Sequence, residues 1–214
     1  MVTLWNFQIW QVIESTMATL FLFRHTETVN TIDGKFRYNG FIDVDVVPEG
    51  LNRLKKYIPL LKYRNIKKIY SSDLVRAYKG AKIFADALGV EVVKLKELRE
   101  VKQGIFEGLT YDEIIEKYPE EAKKKFSDYV NYRVKNGESL KDAYNRVIPC
   151  VKEIMNNDEN VIIVAHGGVN MLILNYCLNM DLNDFFRIQQ DFGCMNEIEF
   201  LDNFIRVIKM NFVL

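Results

Sequence analysis

The sequence predicts an α/β fold: a three-layer α/β/α sandwich with a mostly parallel central sheet and a small helical cap insertion. Three observations carry that expectation. Residues 18–23 (ATLFLF) and 161–165 (VIIVA) are short, continuous apolar runs of the kind that form strands buried on both faces. Each ends abruptly in a cluster of polar residues, at the strand end where ligands collect in sheets of this class. Segments of helical period alternate with the strands, as they do when helices cover both faces of a sheet. A chain of 214 residues suits one domain carrying an elaborated insertion.

Residues 1–16 stand apart from this pattern. They hold both tryptophans, Trp5 and Trp10, and no basic residue, so the positive start of a secretory signal is missing. Two readings stay open: a peripheral extension, with the working domain spanning residues 17–214, or an apolar arm that packs on a partner subunit and makes a homodimer. The first strand, 18–23, runs into Arg24-His25-Thr26-Glu27-Thr28. Residues 31–48 read as loop, with Gly34, Asn39, Gly40 and Pro48 as breakers. Pro48-Glu49-Gly50 opens a helix with Leu51, Leu54, Ile58 and Leu61 on one face.

Residues 67–70 (KKIY) form the second strand, and Ser71-Ser72-Asp73 have the chemistry of a helix cap. The helix beyond carries Arg76 in its first turn and stops at Gly89; residues 90–93 are a third strand. Residues from about 97 to 137 are helix-prone, charged and rich in tyrosine, and are assigned to the cap. Within them Lys123-Lys124-Lys125 reads as a solvated helix face. A long helix over 138–155 precedes the strand at 161–165, and His166-Gly167-Gly168 then leads into a helix over 169–178. Strands over 195–200 and 204–210, joined at Asp202-Asn203, complete the fold.

Lysine plus arginine, 29, equals aspartate plus glutamate, 29, so the chain lacks a general attraction for nucleic acid or acidic membranes. No apolar run has the roughly 18 residues of a membrane span. Cys150, Cys177 and Cys194 are odd in number and irregular in spacing, which fits reduced thiols in a cytoplasmic protein better than disulfides or zinc.

The chain has two histidines, and each directly follows an apolar strand. If those strands are neighbours, His25 and His166 project into one crevice. Two ligands are too few for zinc, so no metal is expected, and no cofactor. Arg24 beside His25 offers a guanidinium fork for two phosphate oxygens. A neutral imidazole nitrogen can attack phosphorus, and Gly167-Gly168 opens a helix whose free N–H groups favour an anion. Together these residues describe an anion site containing a nucleophile.

Five segments carry a family resemblance. The run from Arg24 through Glu27 and Thr28 to Asn30 resembles the R-H-G-E-T-x-x-N signature of the histidine phosphatase (phosphoglycerate mutase-like) superfamily. Ser71-Ser72-Asp73-Leu74-Val75-Arg76-Ala77 is similar to its S-S-D-L-x-R-A segment, and Leu98-Arg99-Glu100 with Gly104 and Glu107-Gly108 to its L-x-E-x-x-x-G-x-x-E-G stretch. Gly137-Glu138-Ser139-Leu140 and Val164-Ala165-His166-Gly167-Gly168 match its G-E-S-L and V-x-H-G-G. All five stand in family order.

The resemblance implies a phosphomonoesterase acting on a small phosphate ester. His25 becomes phosphohistidine; Arg24, Arg76 and His166 hold the phosphate oxygens; Asn30 and the Gly167 amide assist. Glu100 is the proton donor to the leaving alcohol, with Glu97 and Glu107 as rivals lacking the family spacing. Thr26 replaces the family glycine, so its backbone must keep ordinary angles or shift, and its hydroxyl is a candidate donor to phosphate. The short cap, residues 108–114 and residues 190–196 look most like α-ribazole-5′-phosphate phosphatases of cobalamin assembly. Phosphoglycerate mutases, phosphoserine phosphatases, broad-specificity sugar-phosphate phosphatases and a non-catalytic phosphate-binding member remain as alternatives. The cap aromatics Tyr111, Tyr118, Phe126, Tyr129 and Tyr132 have two readings, a stacking surface for a flat base or the cap's own core.

Overall fold

The computed structural model describes residues 17–31, 34–202 and 204–214; the expected N-terminal extension, 1–16, and Asn203 of the final turn lie outside them. Six strands form one sheet: β1 (Ala18–Arg24), β2 (Lys68–Ser72), β3 (Val92–Leu95), β4 (Val161–Ala165), β5 (Met195–Leu201) and β6 (Phe204–Phe212). Their order is β3-β2-β4-β1-β5-β6, with β3, β2, β4 and β1 parallel and the β5–β6 pair antiparallel at one end.

Strand alternation builds a core on each face. Leu20 and Leu22 of β1, with Val161 and Ile163 of β4, join one cluster. Phe21 and Phe23, with Ile162 and Val164, join the other. Apart from Thr19 and the terminal Arg24 of β1, these strands are apolar at every position because their side chains have a core to enter on either face. The first core is closed by α6 (Leu140–Met155) and α7 (Gly167–Cys177). The second is closed by α1 (Pro48–Lys55), α2 (Ile58–Leu61) and α3 (Val75–Leu88). Between β3 and α6 lie α4 (Tyr111–Lys117) and α5 (Pro119–Ser127), which pack on a separate small cluster of Phe106, Ile114, Ala122 and Val134. No helix among the described residues is long and apolar enough to cross a membrane.

Three local expectations shift, each for a physical reason. The single helix expected from Pro48 breaks between α1 and α2, because Pro59 has no N–H and its ring opposes a continuous turn. The third strand begins at Val92 rather than Val90, since the Val90 amide closes the end of α3 on the Ala85 carbonyl beside left-handed Gly89 (φ 69°). Ser71 and Ser72 belong to β2, and α3 is capped from outside: the Val75 amide donates to Asp43 Oδ1 at 2.7 Å. By contrast, α6 starts where its residues dictate, with Ser139 and Asp142 forming a reciprocal capping box.

Candidate active site

The register of β1 against β4 pairs Arg24 with Ala165, so His25 and His166 leave neighbouring strands side by side. Their rings meet edge to face at 5.2 Å between centroids. The His25 amide donates to the Ala165 carbonyl (3.0 Å), and its Nδ1–H donates to the Thr26 carbonyl at 2.6 Å. That bond fixes the tautomer and leaves the Nε2 lone pair free. Burial, then the charges of Arg76 and Arg24, hold the His25 imidazole well below its ordinary basicity. His166 is held neutral by the same causes, burial first.

Arg24 stacks over the Phe192 ring at 3.8 Å and donates through Nη1 to the Gln190 carbonyl. Arg76, 1 % exposed, donates through Nη1 to the Ile42 carbonyl and through Nη2 to Gly40, both at 2.7 Å. Burial lowers it to about 10, so it stays cationic at neutral pH. Four buried nitrogens here have no hydrogen-bond partner: Arg24 Nε, Arg76 Nε and both ring nitrogens of His166. An unpaired buried polar group costs about 1–3 kcal/mol, so this convergence of orphans marks a site made for a polyvalent acceptor.

Glu100 lines the same cavity as Arg24, His25 and Arg76. Its Oε1 accepts from the Val101 amide (2.9 Å) and its Oε2 from the Gly168 amide (3.1 Å), so a carboxylate occupies the first turn of α7. The glycine pair also makes room. A Cβ on Gly168 would stand 2.5 Å from Glu100 Oε1, and one on Gly167 would stand 3.1 Å from Arg24 Cζ. Of the rival carboxylates, Glu107 braces a loop by accepting from the Phe41 (2.9 Å) and Gln103 (3.2 Å) amides, and neither it nor Glu97 lines the cavity.

Not every candidate residue reaches the cavity. His166 and Gly167 lie behind its lining, against His25 and Arg24. Asn30 pairs with other side chains, accepting from Thr28 Oγ1 (2.8 Å) and donating to Asn39 Oδ1 (2.6 Å). Two residues separate threonine from asparagine in the signature, whereas only Val29 separates Thr28 from Asn30 here. The matching position is Thr31, which does line the cavity, as does Asn39. Thr26 keeps a negative φ and is fully buried, its branch against Gly50 and Gly193 rather than in the cavity. What faces the His25 ring from Thr26 is its carbonyl.

The outer wall comes from segments distant in sequence: Phe36 and Arg37 on one side, Tyr129, Phe185 and Phe186 on another, and Phe192 beside His25. Of the five cap aromatics only Tyr129 reaches it, packing edge-on to Phe186 at 4.6 Å. Tyr111 pairs with Phe126 (5.3 Å) and Tyr118 with Phe106 (6.1 Å), while the Tyr132 hydroxyl donates to Glu121. Neither reading holds for all four: Tyr132 packs against the cap's small core, whereas Tyr111, Tyr118 and Phe126 lie at its surface, because α4 and α5 are too short to enclose them. Lys125 departs from the expected solvated face. It is 2 % exposed, and its ammonium donates to the carbonyls of Tyr129 (3.1 Å) and Tyr132 (3.2 Å). Burial lowers it to about 8. Periodicity on a short helix cannot show this, because the covering turn folds back from the residues that follow. No group of three metal-ligating side chains occurs among the described residues.

The sequence profile of the histidine phosphatase superfamily (branch 1) matches residues 20–213. Phosphoserine phosphatase 1 of Hydrogenobacter thermophilus is 33% identical over 182 residues, covering 84% of this chain and 83% of that protein. A human 6-phosphofructo-2-kinase/fructose-2,6-bisphosphatase 4 is 32% identical over 78% of this chain, which spans only 34% of that protein's length. Among solved structures, the α-ribazole phosphatase of Shigella flexneri superposes with a TM-score of 0.81 at 22% identity, covering 91% of this chain and 96% of that one, a likeness of fold.

Proposed function

The chain belongs to the histidine phosphatase superfamily and is a phosphatase of small phosphate esters, and from that premise we propose that it works through a phosphohistidine at His25. The observation that carries the reading is the free Nε2 of a neutral His25 beside the unpartnered nitrogens of Arg24, Arg76 and His166. Nε2 attacks phosphorus as the bond to the leaving alcohol breaks, and Glu100 gives the departing oxygen its proton. Arg24 and Arg76 hold non-bridging oxygens from the cavity lining while charge develops on them, and His166 meets the third from behind His25, through a ring nitrogen that has no other partner. Water then attacks the phosphohistidine, the Glu100 carboxylate takes the water's proton, and phosphate leaves with His25 neutral again.

The leaving alcohol we assign first is that of α-ribazole 5′-phosphate, which would place the enzyme in cobalamin biosynthesis. The aromatic wall of Tyr129, Phe185, Phe186 and Phe36 supports a flat, largely apolar body beside the phosphate. Phosphoserine is the second reading, favoured by the 33% identity to a phosphoserine phosphatase. We place the protein in the cytoplasm, where free Cys150, Cys177 and Cys194 stay reduced; burial pushes these thiols up to about 11, 12 and 11.

Phosphate release from α-ribazole 5′-phosphate, phosphoserine and 3-phosphoglycerate, with acid-quench trapping of labelled phosphoenzyme, tests both levels. The wild type should release phosphate and accumulate label, and His25→Ala should do neither. Full activity in His25→Ala would refute the mechanism, and a kcat/KM for phosphoserine above that for α-ribazole 5′-phosphate would reverse the substrate assignment.

A further inference from the structure

Arg146 projects from the second turn of α6, outside the cavity lining, yet it grips the strip of chain that carries Glu100. Its Nη1 donates to the carbonyls of Glu97 (2.6 Å) and Arg99 (2.9 Å), and its Nη2 to that of Glu100 at 3.2 Å. The same guanidinium is held by Glu138, with Nε on Oε1 at 2.9 Å and Nη2 on Oε2 at 2.8 Å. Glu138 extends the grip: its Oε2 accepts from the Lys102 amide (3.0 Å), and its own amide donates to the Lys102 carbonyl (2.8 Å). Residues 99–102 form neither helix nor strand, so no regular ladder fixes them. An unconstrained residue regains about 1–2 kcal/mol of backbone entropy, which favours drift of such a strip. Proton transfer to a leaving oxygen tolerates little drift, since a 1 Å misplacement can cost about 100-fold in rate.

We propose that Arg146, locked by Glu138, is a positioning residue that sets the Glu100 carboxyl on the leaving oxygen. This rests on Glu100 being the proton donor. Arg146 hydrogen-bonds to backbone carbonyls and to Glu138 and lies over the Phe41 ring at 5.7 Å, so its grip on the chemistry runs through the placement of Glu100, with its charge adding to those that keep His166 neutral. Its loss therefore matters in proportion to how much the leaving alcohol needs a proton. An alkyl alcohol leaves poorly as the alkoxide, whereas p-nitrophenolate leaves well without protonation.

The experiment compares kcat and KM for phosphoserine and for p-nitrophenyl phosphate in the wild type, Glu100→Gln, Arg146→Met, Arg146→Lys and the double variant E100Q/R146M. Arg146→Met should lower kcat for phosphoserine about 10- to 100-fold while changing p-nitrophenyl phosphate hydrolysis only a few-fold, with the inhibition constant of inorganic phosphate unchanged. Arg146→Lys, which keeps the charge but loses the fork, should fall between. The double variant should be no slower than Glu100→Gln, because a displaced donor that is already absent cannot be lost again. Equal losses on both esters, or additive losses in the double variant, would overturn the proposal. If Arg146→Met does not fold, Glu138→Gln carries the same comparison and the same two outcomes. Glu100→Gln with equal losses on both esters would instead remove Glu100 as donor, a failure visible before Arg146 is considered.

Discussion

Gly168→Ala separates the geometry of the acid from the stability of the fold. Gly168 sits in the first turn of α7 with a helical, negative φ, so alanine fits its backbone and should stabilise the helix by roughly 0.5–1 kcal/mol. The new methyl, however, would stand 2.5 Å from Glu100 Oε1 and 3.3 Å from both Glu100 Cδ and Val101 Cγ2. Ordinary contact begins near 3.4 Å, so the carboxylate must retreat by about 0.9 Å. The atom displaced is the far end of a flexible side chain, which makes the shift cheap for folding and serious for catalysis. In moving, the carboxylate gives up its 3.1 Å bond from the Gly168 amide and its place in the cavity shared with Arg24, His25 and Arg76. A misplacement of this size corresponds to a loss of about 100-fold in kcat, or about 2.7 kcal/mol of transition-state stabilisation. Thermal melting and steady-state hydrolysis of phosphoserine read the two effects together. The expected result is a Tm equal to or above the wild type, a kcat about 100-fold lower, and an unchanged inhibition constant for phosphate. Wild-type kcat in a well-folded variant would refute the placement of Glu100 against this helix.

Two further perturbations follow from the same geometry. Gly50→Ala would drive a methyl to 2.6 Å from Cβ and Oγ1 of fully buried Thr26, and should destabilise the fold by about 1–3 kcal/mol in denaturant titration; the pair Thr26→Gly/Gly50→Ala should recover most of it, and a Gly50→Ala variant as stable as the parent would show that the two do not meet. Buried His25 and His166 bind a proton only well below pH 6.5, whereas unfolded imidazoles bind one near it. Protons therefore favour the unfolded chain, and stability should fall from pH 6.5 towards 5 by up to about 1.4 kcal/mol per pH unit for each histidine. His166→Asn should flatten that slope, and an unchanged slope would mean the histidines are not the cause.

The strands and the histidines that follow them were legible in the sequence because they rest on local chemistry. A run made almost wholly of apolar residues has to be buried on both faces, and residues 18–23 of β1 and all of β4 are. Arg24, His25, Arg76 and Glu100 converge on one cavity as their motifs imply. Asn30 and Thr26 were not legible in the same way. Asn30 is one residue short of the signature position and turns to Asn39, while the Thr26 side chain finds room against Gly50, which is far along the chain. Lys125 reads as a surface lysine from its charged neighbours, and only the turn at 129–132 folding over it makes it interior.

The chain by itself determined that two strands would lead into histidines and that an arginine would stand beside the first, which makes an anion site; the five ordered motifs, by resemblance, added the phosphatase reaction. Local pattern suffices for this, because burial and reactivity are properties of residue types. The tertiary structure decided which face each group presents and who supports it. It put β4 beside β1, turned Gly168 into space for Glu100, and brought Phe185 and Phe186 to Tyr129. It also closed Arg146 on the backbone of residues 97–100, a contact across 46 to 49 positions that no local spacing encodes. Side chains so far apart in sequence meet only where packing of the two cores leaves them together.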